Sequence, residues 1–209
     1  APAWHAELHL RFTRAGARSV LRDNRHQGPL RVQKALYPEG EAVCQAIVLH
    51  PPSGIAGGDH LHICASVEAG AHAQLTTPGA GKWYRSGGAE ASQTLNLSVA
   101  EGATLEWLPQ ESIVFDRVKG HTETRVRLAG DAVFIGLDLL CLGRTASGER
   151  FTEGSLRLAS RIERDGKLIW SEQGLIEGGS RLLESPVGLC GQPVTGTLLV
   201  RSEEHTSEL

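Results

Sequence analysis

The chain has 209 residues, 40% apolar and 22% charged, with a formal net charge of −3. That is enough for one large domain with a substantial core, and it lacks the basic excess that would favour nucleic acid or an anionic membrane as partner. No apolar run approaches the ~18 residues of a membrane-crossing helix, and the start, Ala1-Pro-Ala-Trp-His5, lacks a basic segment followed by an apolar one, so a cytosolic protein is expected.

Along the chain, strand signals dominate and helical periodicity is hard to find. The segment His50-Pro-Pro-Ser-Gly-Ile-Ala-Gly-Gly-Asp59 reads as a stiff piece running into a flexible one. Pro51 and Pro52 are expected to hold the backbone extended, while Gly54, Gly57 and Gly58 permit positive φ or close approach. Asp59 then caps the turn or presents a carboxylate where a strand begins. Next comes a weak repeat. Val67-Glu-Ala-Gly-Ala-His-Ala-Gln-Leu75 and Val99-Ala-Glu-Gly-Ala-Thr-Leu-Glu-Trp107 superpose with a 32-residue shift, and Leu128-Ala-Gly-Asp-Ala-Val-Phe-Ile135 echoes them 28 residues later. Strand, Gly turn, strand units at this period predict stacked sheets or a β-solenoid-like body, although ordinary hairpins of a sandwich also fit.

Within Thr76-Thr-Pro-Gly-Ala-Gly-Lys-Trp-Tyr-Arg85, Gly79 to Lys82 imitates a phosphate loop but fails its pattern twice. Thr76 stands where the first Gly belongs and Trp83 where the hydroxyl belongs. Lys82, Tyr84 and Arg85 remain a cluster able to meet a partner, or a solvated loop with Trp83 and Tyr84 tucked inward. Further on, Leu156, Leu158 and Ile162 alternate with charged residues, and Asp165-Gly166 supplies a hairpin turn before Leu168 to Trp170. The fold class expected is mainly β: stacked mixed sheets, solenoid-like, with few or no helices.

No catalytic constellation stands out: there is no G-x-S-x-G elbow, no H-E-x-x-H and no local Cys and His signature. Cys44, Cys64, Cys141 and Cys190 have no C-x-x-C spacing and stand in or beside apolar stretches, which predicts reduced, buried thiols. His60 and His62 share one face of a strand and suit Ni²⁺ or Zn²⁺, but no third ligand is evident, and exposed histidines on an edge strand are the commoner arrangement. Asp138 lies inside Ala132-Val-Phe-Ile-Gly-Leu-Asp-Leu-Leu-Cys-Leu142, a run apolar at both alternating positions. A carboxylate buried there requires compensation, either by a hydrogen bond or an Arg partner such as Arg144, or by a polar, water-filled passage.

Taken in order, His50 to Asp59, Thr76 to Arg85 and Glu106-Trp-Leu-Pro-Gln-Glu111 closely resemble the UreD (UreH) family of urease accessory proteins. Supporting phrases are Gly28 to Gln33, Tyr37 to Gly40, Leu142 to Phe151, Arg164 to Trp170 and Gly196 to Val200. Ser53, where Gly is expected, and Gly81, where a hydroxyl or Ala is usual, depart from the pattern. The resemblance implies a non-catalytic maturation factor that binds apo-urease on one side and a helical UreF-like partner on the other, with a UreG-like GTPase beyond. It also implies no tightly bound cofactor, nickel(II) only in transit, and the wet-passage reading of Asp138, with Asp59 and Glu172 along the same path. Glu111 and Asp116 are weaker candidates. The alternative from another class is a β-helical carbohydrate-active enzyme or binding module, which needs paired carboxylates and an aromatic platform; 5% aromatics argue against it.

The last residues, Arg201-Ser-Glu-Glu-His-Thr-Ser-Glu-Leu209, abandon the preceding texture and can be written in codons that match a sequencing-library adapter. Residues 1–200 are therefore expected to form the domain, lacking a C-terminal part, and 201–209 to be non-native and to pack on nothing.

Overall fold

The structure, a computed structural model, describes residues 3–202. Fifteen strands build two facing sheets. The first sheet runs β14-β13-β11-β8-β5-β1-β2, comprising Lys167–Glu177, Gly154–Arg164, Val118–Leu128, Ala91–Val99, His60–Val67, His5–Ala15 and Arg18–Gln27. The second runs β3-β4-β6-β9-β12-β10-β7, comprising Arg31–Leu36, Val43–Leu49, His72–Thr76, Thr104–Trp107, Val133–Leu142, Ser112–Val114 and Gly81–Trp83, with β15 (Val194–Arg201) on the other flank of β12. One short helix, α1 (Arg181–Glu184), and one 3-10 turn complete the described residues. The expected mainly β, solenoid-like architecture of stacked mixed sheets is what forms.

The repeat is the physical basis of the stacking. Val67 lies beside Val99 in one sheet, and His72 beside Thr104 in the other, a 32-residue step in both. Each unit crosses between sheets by a tight turn, closed by Ala71 N–H to Glu68 O (3.0 Å), Ala103 N–H to Ala100 O (3.1 Å) and Ala132 N–H to Ala129 O (3.0 Å). Gly70, Gly102 and Gly130 occupy the left-handed position in these turns, where a side chain would be strained. The units stack in parallel, so alternate side chains from every rung enter one shared core. Leu8, Phe12, Leu75, Leu95, Leu97, Leu105, Phe134 and Leu156 lie in it, each 2% exposed or less.

The β13–β14 hairpin forms at Asp165-Gly166, both at positive φ (49° and 75°), which is the geometry that Asp-Gly favours. The Pro pair is a correction. Pro51 and Pro52 do not run extended; they occupy the centre of a turn closed by Ser53 N–H to His50 O at 2.8 Å, since the φ that proline fixes also suits a turn. Ser53 follows at φ 64°, a left-handed value that explains why glycine is expected there. Ser53→Gly should therefore stabilise the protein by up to about 1 kcal/mol, readable as a higher urea midpoint at unchanged slope.

Two further expectations change. Cys44 is buried, but Cys64 and Cys141 are half-buried and Cys190 is exposed; all four thiols are free. Arg201 does not stand apart: it pairs with Phe134 at the end of β15, and its guanidinium lies 5.2 Å from the centre of the Trp170 ring. Residues 203–209, the rest of the segment expected to be non-native, lie outside the described residues.

Candidate functional site

Between the sheets lies a cavity of ≈ 680 Å³. It opens where the second sheet is interrupted. In the second sheet, β6 and β9 stay bonded as far as Leu108 N–H to Leu75 O (2.8 Å), then leave the ladder over residues 77–80 and 108–111 before resuming as β7 and β10. Pro78 and Pro109 stand at these breaks, where a residue without an N–H cannot continue the ladder. Thr77, Pro78, Gly79, Pro109 and Gln110 border the cavity at this gap.

The first sheet contributes polarity. Its inward positions alternate as expected, yet several carry polar side chains. Glu172 on β14 pairs in register with Ser160 on β13, and Ser160 with Thr124 on β11, so three polar residues form a row across adjacent strands. Thr122 and Gln93 make a second pair beside it. Opposite, in the second sheet, Asp138 on β12 pairs with Thr197 on β15. All of these residues line the cavity, whose remaining wall is largely Leu, Ile, Val and aromatic carbon.

Asp138 and Glu172, two of the three carboxylates expected on one path, are thus brought together. Burial, and then the negative charge of Glu172, push the Asp138 carboxyl above its ordinary pKa. The surrounding protein dehydrates it, yet its surface stays open to water because it faces the cavity. Arg144 is not its partner. That guanidinium is held by Glu149 (2.5 Å) and lies 4.3 Å from the centre of the Phe115 ring. Two carboxyl groups thus face one cavity, beside Ser and Thr hydroxyls in an otherwise largely apolar wall, an arrangement whose electrostatics favour a cation over an anion.

Asp59 is placed differently. It is 3% exposed; Oδ1 accepts the Trp4 N–H and Oδ2 the Ala56 N–H, both at 2.8 Å. Its carboxylate ties the N-terminal segment to the loop after the Pro turn and is not part of the cavity wall. In that loop, Gly54 is required by close approach: a Cβ there would collide with the Tyr84 ring and come within 2.9 Å of Lys82 O. Gly57 lies equally tight against Ser86 and Ala89, and Gly58 adopts φ 94°.

His60 and His62 do share a face, but it is the outer face of the first sheet, on central β5 rather than an edge strand. His60 stacks on His5 with 5.1 Å between ring centres; His62 Nε2 lies 2.6 Å from Asn96 Nδ2 and 3.3 Å from Cys64 Sγ. Among the described residues, no three His, Cys, Asp or Glu side chains are arranged to hold a metal ion. Lys82 parts from Tyr84 and Arg85, which line a second depression together. Lys82 borders the cavity, Tyr84 packs edge-on to Phe115 (5.2 Å), and Arg85 is exposed beside the second depression, of ≈ 450 Å³, with Arg117 and Arg144. Asp116, in that depression, accepts the Thr152 and Glu153 N–H groups at 2.7 and 2.8 Å, a loop clamp. The backbone carbonyl of Glu111 accepts the Gly81 N–H (2.8 Å), which makes it part of the β7–β10 junction.

One cavity residue is not singled out by sequence. His50 lines the wall beyond the end of β4, and its Nε2 is sealed from water with no hydrogen-bond partner. Leaving such an atom unpaired costs about 1–3 kcal/mol. Burial pushes the imidazole pKa down, while the nearby Asp59 charge works the other way with less weight, so the neutral form prevails at neutral pH.

Comparison with known proteins gives a consistent picture. The family model described as "UreD urease accessory protein" matches residues 5–209. The chain is 67% identical over 198 residues to a "Urease accessory protein UreD" of Dechloromonas aromatica, covering 95% of this chain and 69% of that protein. It is 58% identical over 202 residues to the protein of that name from an Azoarcus species, covering 97% of this chain and 71% of the relative. With the Pseudomonas aeruginosa protein of that name the identity is 53% over 208 residues, 100% of this chain and 74% of the other.

Proposed function

This chain belongs to the UreD urease accessory protein family, and from that premise we propose that it serves urease maturation as a non-catalytic scaffold that carries nickel(II) ions through its interior. The single observation that carries the conduit is the cavity between the sheets with Asp138 and Glu172 facing into it from opposite layers. An ion in transit needs stabilisation strong enough to draw it from water and weak enough to release it. Two carboxylates with Ser and Thr hydroxyls and bridging waters meet that condition, whereas a closed set of ligands would trap the ion. The apolar remainder of the wall contributes no competing ligands.

The scaffold would dock apo-urease, a UreF-like helical protein and, through the assembly, a UreG-like GTPase. GTP hydrolysis belongs to the partner, because Gly79 to Lys82 lacks the spacing that wraps phosphates. A cytoplasmic setting accords with free thiols, and no helix among the described residues is long and apolar enough to cross a membrane. The test is co-purification of the full-length protein with the two accessory partners and apo-urease. Stable association and nickel-dependent urease activation are expected; failure to associate with any of the three removes the proposal.

A further inference from the structure

We infer that His50 is a specificity-determining residue of the cavity, giving a passing cation one imidazole nitrogen donor so that Ni²⁺ and similar transition ions are admitted and Mg²⁺ and Ca²⁺ are not. The inference rests on the conduit reading above and adds to it the selection of the ion.

Carboxylates alone select poorly. Oxygen ligands such as Asp138 and Glu172 suit Mg²⁺, Ca²⁺ and Mn²⁺ as well as nickel, whereas an imidazole favours Zn²⁺, Cu²⁺, Fe²⁺ and Ni²⁺. A passage lined only by oxygen would admit the commoner hard ions. Among the described residues that line this cavity, His50 is the one imidazole, and no Cys side chain joins it. It lies beyond the end of β4, three strands across the second sheet from Asp138 on β12. The cavity thus offers a nitrogen donor at one place and paired oxygen donors at another.

Two observations mark His50 as more than wall. Its Nε2 has no hydrogen-bond partner although it is buried, and buried polar atoms are ordinarily satisfied. The ring is held at the Pro51-Pro52 turn, whose closing bond is accepted by His50's own carbonyl, so the backbone that presents it is fixed. The side-chain torsion that orients an imidazole is broad, and the inference requires a rotation about it that brings Nε2 from its sealed position to the cavity the residue lines. Burial keeps the ring neutral, with a lone pair free for a metal.

The experiment compares full-length wild type, His50→Phe, His50→Gln and Asp138→Asn. Nickel binding is measured calorimetrically with and without excess Mg²⁺, and bound Co²⁺ is examined by X-ray absorption for imidazole scattering. Wild type should retain nickel against Mg²⁺. Both His50 variants should lose at least about tenfold in nickel affinity, the lower end of what losing even an outer partner costs a metal site, and should become sensitive to Mg²⁺. Imidazole scattering should vanish in the His50 variants and persist in the cobalt still bound to Asp138→Asn. His50→Phe keeps the ring's bulk and removes the unpartnered nitrogen, so its thermal midpoint should equal or exceed that of wild type; a large drop would mark a structural histidine and overturn the inference. If the His50 variants match wild type while Asp138→Asn loses nickel, the passage stands and His50 has no part in selection. If all variants bind nickel and activate urease as wild type does, the conduit falls and this inference with it.

Discussion

Asp138→Asn should cut urease activation sharply while leaving a protein at least as stable as wild type. The amide is nearly isosteric and makes the same contacts with the cavity wall, but it cannot offer a negative charge to a passing ion. Losing that charge should reduce ion occupancy about tenfold or more, equivalent to the ~1.5–3 kcal/mol of a contact to a charged group. Stability should move the other way. Burial and Glu172 raise the folded-state pKa of Asp138 above its unfolded value. The folded state therefore binds the proton more tightly, and wild-type stability falls as pH rises from the unfolded pKa of about 3.9 through the raised folded one. The uncharged amide carries no such penalty, so the variant's advantage should be present at neutral pH and vanish below about pH 4. Denaturant midpoints of both proteins across pH, set beside nickel content of urease matured with each, test this. Equal activation by wild type and an Asp138→Asn, Glu172→Gln double variant, at equal protein level, would refute the conduit. Loss of soluble protein in Asp138→Asn would show that the carboxylate has a structural partner instead.

How much of this was legible in the sequence depends on the length scale of the cause. The 32-residue repeat reports stacking directly, because parallel rungs align equivalent positions: Val67 with Val99 and His72 with Thr104. Asp138 was readable because one charge interrupts an apolar run. The polar row that faces it was written just as plainly, with Ser160 standing where Leu156, Leu158 and Ile162 set an apolar period, and Thr124 where Val126 and Leu128 continue one. It is overlooked because single Ser and Thr residues are cheap at any strand position; only register shows that they coincide across three strands. His50 was hidden for a similar reason. Its neighbours Pro51 and Pro52 dominate the local reading, and nothing local indicates that the turn points a ring at a cavity built from strands far along the chain. The histidines that did attract notice, His60 and His62, lie on the outer face, since a period-2 argument fixes which residues share a face but not which face is inside.

Asp59 is where that limit has the largest consequence, and Asp59→Asn should fail in a different manner from Asp138→Asn. Both oxygens of this carboxylate are committed, one to the Trp4 N–H and one to the Ala56 N–H, in a site 3% exposed. An amide can satisfy only one of these donors; its NH₂ then faces the other N–H, leaving a buried donor without an acceptor. The cost should be about 2 kcal/mol, within the ~1–3 kcal/mol of an unsatisfied buried group. For a domain of this size that corresponds to a fall of roughly 4–8 °C in thermal midpoint. The N-terminal segment should loosen first, because Trp4 loses its anchor to the loop that follows the Pro turn; hydrogen exchange at Trp4 and Ala56 reads this directly. Urease activation should then fall only as far as folded protein falls, and should recover at lower growth temperature. If Asp59→Asn instead keeps its midpoint and exchange protection while urease nickel content drops as in Asp138→Asn, the carboxylate acts on the ion and belongs to the passage after all.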